Sequence, residues 1–188
     1  MSSPPPERQL PERPDPDRRL PDSAVPDRKT VEGWLRDLGL RPGKAQLRDG
    51  VASWDLRVDG RKRSGIPITV ILAPALGCVV WIPFAPPLSD AFRKSYRRLL
   101  RWNEEYPFVK FGVTEDERPV LSAEVPVREL GQERLGETLA RCVALCDLLH
   151  GDVADWLSRE PPTRAKSTSA VGLLDRFADR LGELVEPA

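Results

Sequence analysis

Val51-Ala52-Ser53-Trp54-Asp55-Leu56-Arg57-Val58 sets Trp54, Leu56 and Val58 on one face and Ser53, Asp55 and Arg57 on the other. A period of two marks a strand that buries one face only. Asp59-Gly60 follows as a turn signal, and Arg61, Lys62, Arg63 and Ser64 are expected at a solvated hairpin tip. Ile66 to Leu72, nearly all apolar and β-branched, reads as a second, central and covered strand. Ala73-Pro74-Ala75-Leu76-Gly77 then turns the chain into a third strand, Cys78 to Phe84.

Upstream, Asp27 or Thr30 can cap a helix in which Val31, Trp34, Leu35 and Leu38 recur at helical spacing. Gly39 and Pro42-Gly43 stop it. Downstream, Ser89 caps a helix over about Asp90 to Glu104. Phe92, Tyr96, Leu99, Leu100, Trp102 and Asn103 fall within an arc of roughly 160° of that helix. Arg93, Lys94, Arg97, Arg98 and Arg101 fill the other side. Pro107 ends it. Phe108 to Val113 and Val120 to Val125 read as two further strands around the polar turn Thr114-Glu115-Asp116-Glu117-Arg118. A long helix over about Arg128 to Leu157 carries Leu135, Leu139, Cys142, Cys146, Leu149, Val153 and Trp156 on one side.

The order α-β-β-β-α-β-β-α predicts an α+β fold: an antiparallel sheet of about five strands with helices packed on it. One sheet face then needs a cover, which a second copy or a partner can provide. Residues 1–28 form a Pro- and charge-rich tail expected to be disordered, and 29–158 the domain. Residues 159–169 are a linker, and 170–186 a C-terminal amphipathic helix with Leu173, Leu174, Phe177 and Leu181 on its apolar face.

Composition narrows the chemistry. The 188 residues carry 29 Lys and Arg against 29 Asp and Glu, which argues against a globally basic nucleic-acid binder. A single histidine leaves little room for His-based metal sites or triads, and three cysteines do not make a disulfide framework. Neither a signal-peptide pattern at Met1 to Pro6 nor an unbroken apolar span is present, so a cytoplasmic protein without membrane attachment is expected.

Candidate sites divide into reactive clusters and surfaces. Cys142, Cys146 and His150 recur every four residues on one helix side. Three such residues span roughly 12 Å of helix axis, too far for all to reach one ion. Core packing is therefore expected of them, with no metal, cofactor or catalytic role. Glu115, Asp116 and Glu117 lack the spacing of a calcium loop. The surfaces are sharper. Arg93, Arg97, Arg98 and Arg101 offer a face for an acidic partner. Leu173, Leu174, Phe177 and Leu181 offer an apolar contact to the chain's own domain, a second subunit or a partner.

From Phe92 to Trp156 the chain resembles the YbjN family, which is related in fold to type III secretion chaperones of the CesT/Tir type. The residues that carry this are Tyr96-Arg97-Arg98-Leu99-Leu100-Arg101-Trp102-Asn103, Pro107-Phe108-Val109-Lys110-Phe111-Gly112, and Val120-Leu121-Ser122-Ala123-Glu124-Val125-Pro126. The resemblance spans roughly residues 29–157. It implies a chaperone-like α+β domain, often homodimeric, with a non-enzymatic protein-binding or regulatory role. The alternative is a nucleic-acid-associated regulator that uses the basic face of the helix 90–104.

Overall fold

Asp27 caps the first helix: its side chain accepts the Thr30 N–H at 2.7 Å. The computed structural model describes residues 25–87, 93–157 and 166–184. The first 24 residues of the expected tail, residues 88–92 with the expected Ser89 cap, residues 158–165 with most of the expected linker, and residues 185–188 lie outside that range.

Helix α1 (Arg28–Asp37) buries Val31 and Leu35. Strand β1 (Gln46–Arg48) is followed by β2 (Val51–Asp59), β3 (Ile66–Ala73) and β4 (Gly77–Pro83). Helix α2 (Arg93–Glu105), strand β5 (Lys110–Val113) and strand β6 (Pro119–Pro126) come next. The sheet runs β1-β2-β3-β4-β6-β5, with its neighbours antiparallel. Inward residues pair in rows such as Ala52–Leu72–Cys78–Val125 and Trp54–Val70–Val80–Ala123. All eight are buried, and each large aliphatic side chain among them contributes about 1.5–3 kcal/mol.

Helix α3 (Gln132–Leu148) lies on this face with α1. The long helix expected over Arg128 to Leu157 is divided. A 3-10 turn, Val127–Glu129, precedes α3, and the helix stops at Leu149. A second turn, Gly151–Val153, and short α4 (Ala154–Leu157) follow. Glycines at 131 and 151 flank the uninterrupted part.

The C-terminal segment adds the elements least visible in the pattern. Strand β7 (Thr168–Ser169) pairs in parallel with Val58 and Asp59 at the edge of β2. The single helix expected over 170–186 is two, α5 (Val171–Arg176) and α6 (Ala178–Leu181), separated at Phe177, whose backbone leaves the helical region. With β1 and β7 the sheet has seven strands rather than about five. Strands of two or three residues are too short to show a period.

The hairpin tip departs from the expected solvated turn. The buried carboxylate of Asp147 on α3 accepts the backbone N–H groups of Arg61 at 2.6 Å, Lys62 at 3.0 Å and Arg63 at 2.8 Å. Gly60 permits this approach, because a Cβ there would lie 2.3 Å from an Asp147 oxygen. Arg63 is only 5% exposed, its guanidinium 5.3 Å from the centre of the Phe84 ring.

Candidate functional site

Helix α2 is held against the open end of the sheet by an aromatic cluster. Trp102 lies 5.9 Å from Phe84, 5.2 Å from Phe111 and 6.1 Å from Trp156 between ring centres. Leu99 is buried beside them. Asn103 completes the anchor with two hydrogen bonds to the Phe111 backbone, donating to its carbonyl at 2.9 Å and accepting its N–H at 2.6 Å.

With that side fixed, α2 presents Arg97, Leu100, Arg101 and Glu104 outward, all exposed. Their spacing of three and four residues places them on one strip of helix surface. Leu100 is 69% exposed, although its position in the sequence falls within the apolar arc. It lies at the arc's margin. Arg98 is engaged within the fold: it donates to the Asp152 carbonyl at 2.7 Å and lies 6.0 Å from the Trp102 ring centre. The Arg93 side chain lies outside the described part of the structure. Of the four arginines expected to meet an acidic partner, Arg97, Arg98 and Arg101 are exposed, and Arg97 and Arg101 share this strip.

Of the three covers expected for the last helix, the structure places its apolar face on the chain's own domain. Leu173, Leu174, Phe177 and Leu181 are each no more than 3% exposed, and α5 and α6 pack on α3 of the same chain. Gly136 makes the closest approach possible: a Cβ there would lie 2.7 Å from both Leu38 and Phe177. Ion pairs frame the contact. Arg176 meets Glu133, Arg180 lies 3.8 Å from Glu133 and from Glu137, and Arg61 meets Asp175 at 2.6 Å. These side chains therefore offer no exposed apolar face. Periodicity showed that such a face exists but not what covers it.

The three cysteines are buried in the core, Cys142 and Cys146 one turn apart on α3. Burial pushes the Cys146 thiol up to about 11, partly opposed by Arg63, and Cys78 up to about 12. Cys142 is raised by burial and by Cys146, with Arg141 opposing. All three are free thiols. His150 stands beyond the end of α3, and its buried Nδ1 has no hydrogen-bond partner. Among the described residues, no group of three or more His, Cys, Asp or Glu is placed to hold a metal ion. Glu115, Asp116 and Glu117 form an exposed turn, with Asp116 accepting from the Thr114 hydroxyl. No helix among the described residues is long and apolar enough to cross a membrane.

The face of the sheet opposite the helices bears the row Asp55–Thr69–Trp81–Ser122–Lys110, with Asp55 and Lys110 exposed. Ile71 and Val79 lie in the adjacent row, and they and Trp81 are only partly buried. Lys110 also meets Glu124 at 3.0 Å on this side.

A comparison with curated proteins found no match. A family model, YbjN, described as "Putative bacterial sensory transduction regulator", matches residues 27–150, from the cap of α1 to the residue before the second 3-10 turn. That description is of a regulator family rather than an enzyme family, and the match covers most of the helix-and-sheet body described above. The chain belongs to the YbjN family.

Proposed function

We propose that the chain is a non-catalytic regulatory module that works by binding another protein in the cytoplasm, in the manner of a chaperone, through the outward strip of α2. The observation that carries this reading is the exposed Arg97–Leu100–Arg101 grouping on a helix firmly anchored from behind. An exposed leucine between two arginines suits a segment that alternates acidic and apolar side chains. The same strip also carries Glu104. That acid, and the engagement of Arg98, make it a poor phosphate track, so a protein partner is favoured over nucleic acid.

The test is affinity capture from native lysate with wild-type chain and with Arg97→Glu/Arg101→Glu. The expected result is a protein retained by the wild type and released by the variant. Equal capture by both would remove α2 from the reading. Binding of DNA or RNA that weakens steeply with salt would transfer it to the nucleic-acid alternative.

The reading includes a homodimer joined through the helix-free sheet face. A two-fold axis along β4 would set Asp55 of each copy against Lys110 of the other, with the two Trp81 side chains at the centre. Strand spacing gives such a face on the order of 900 Å² between two copies, the scale of a weak and reversible pair.

A further inference from the structure

We propose that a cleft at the β2 side of the helix-free face binds a phosphorylated sugar, free or as part of a nucleotide. The cleft has a volume of about 450 Å³ and is lined by Arg41, Asp55, Arg57, Thr69, Pro83 and Lys166 among others. That size is ordinary for a small-molecule pocket. Three separate stretches of chain build it: the segment after α1, the strands β2 to β4, and the residue that leads into β7.

The charges around it are of two kinds and suit the two halves of one ligand. Arg41, Arg57 and Lys166 have no acidic partner among the described residues; Arg57 donates only to the Gly65 carbonyl, at 2.8 Å. Three basic residues without an ion-pair partner along one small concavity favour a phosphate. Asp55 is the cleft's one carboxylate. It is fixed by the Thr69 hydroxyl at 2.8 Å and by Gln46 at 3.1 Å, one bond to each oxygen. Each oxygen keeps a further lone pair for a sugar hydroxyl. A bare phosphate would use the cations and be repelled by Asp55. A phosphorylated sugar uses both.

Lys166 gives the site a consequence. It immediately precedes Ser167, whose hydroxyl meets Asp59, and β7, which pairs with β2. A ligand shared among Lys166, Arg57 and Arg41 ties the C-terminal segment to the sheet and holds it docked. This site does not depend on the α2 strip; it shares Asp55 and its sheet face with the pairing of copies proposed above, so bound ligand and that pairing exclude one another.

The experiment is calorimetric titration of the full chain at low salt with ribose 5-phosphate, ATP and inorganic phosphate. It is repeated on Arg41→Ala/Lys166→Ala, whose fold is checked by circular dichroism. Binding of ribose 5-phosphate supports a free sugar phosphate, and binding of ATP alone supports a nucleotide. The double variant should bind at least about tenfold more weakly. Amide exchange across 168–181 should slow on ligand addition. No binding of either sugar phosphate would overturn the proposal, as would inorganic phosphate binding equally well or an unaffected double variant. Unchanged exchange at 168–181 would overturn the coupling to the C-terminal segment.

Discussion

Asn103 completes the outer edge of the sheet by hydrogen-bonding both backbone groups of Phe111, at 2.6 and 2.9 Å. Its carboxamide does for β5 what another strand would do. Asn103→Ala leaves both backbone groups without that partner, and should lower stability by about 1–3 kcal/mol in urea unfolding. Asn103→Asp keeps the acceptor but loses the donor and should fall between the two. A variant as stable as the wild type would show the clamp to be energetically idle.

Asp147 gathers three successive backbone N–H groups of the β2–β3 turn. Asp147→Ala leaves all three without their acceptor and should cost about 3 kcal/mol or more. Gly60→Ala should also destabilise, because its new Cβ would displace the same carboxylate. Urea unfolding of both variants checks this.

Gly136 sets the distance between α3 and the C-terminal helices. Gly136→Leu places a side chain where Leu38 and Phe177 already meet, so α5 and α6 should undock while the sheet stays folded. The expected signature is fast amide exchange confined to 168–184. Loss of protection throughout would show that the docked segment and the domain fold as one unit.

The thiols offer a pH test. Burial raises all three above their ordinary value of 9.0, so the native chain holds protons that the unfolded chain releases. Stability contributed by the neutral thiols is intact below pH 9 and declines above it. At pH 8 the native chain should resist iodoacetamide, and in urea all three cysteines should react. Rapid native labelling of Cys146 would reveal an accessible thiolate.

Asp55 and Lys110 end the same cross-sheet row with opposite charges. If two copies meet as proposed, Asp55→Lys alone and Lys110→Glu alone should each weaken the pair about tenfold. The double exchange should restore it. Light scattering over a concentration series reads the result; a mass that never exceeds one chain would end the dimer reading.

The alternation in β2 was legible because one face is wet and the other dry, and it located both the sheet and its core. The helical stripe of α3 was legible from its apolar spacing, although α5 and α6 cover much of its other side. Three features were not. Arg63 belongs to a run of charges, yet it is buried by a carboxylate from α3, 84 residues away along the chain, and by the Phe84 ring. Leu100 sits at the edge of a genuine apolar arc, yet it stays exposed. The last apolar face was read correctly as a face, but its closest contact depends on Gly136 lacking a side chain on another helix. For Arg63 and the last apolar face the deciding partner is distant in the chain, and local periodicity carries no information about it.

The borders of the sheet limit how copies of this molecule can accumulate. At one border β1 and β7 occupy opposite ends of β2 and the Gly43 N–H bonds to Asp55 between them, while Asn103 occupies the other. Neither border is left as a continuous template for an incoming chain. End-to-end growth into filaments is thereby discouraged, and in a crowded cell the molecule should remain in small, countable assemblies rather than spread into open-ended aggregates.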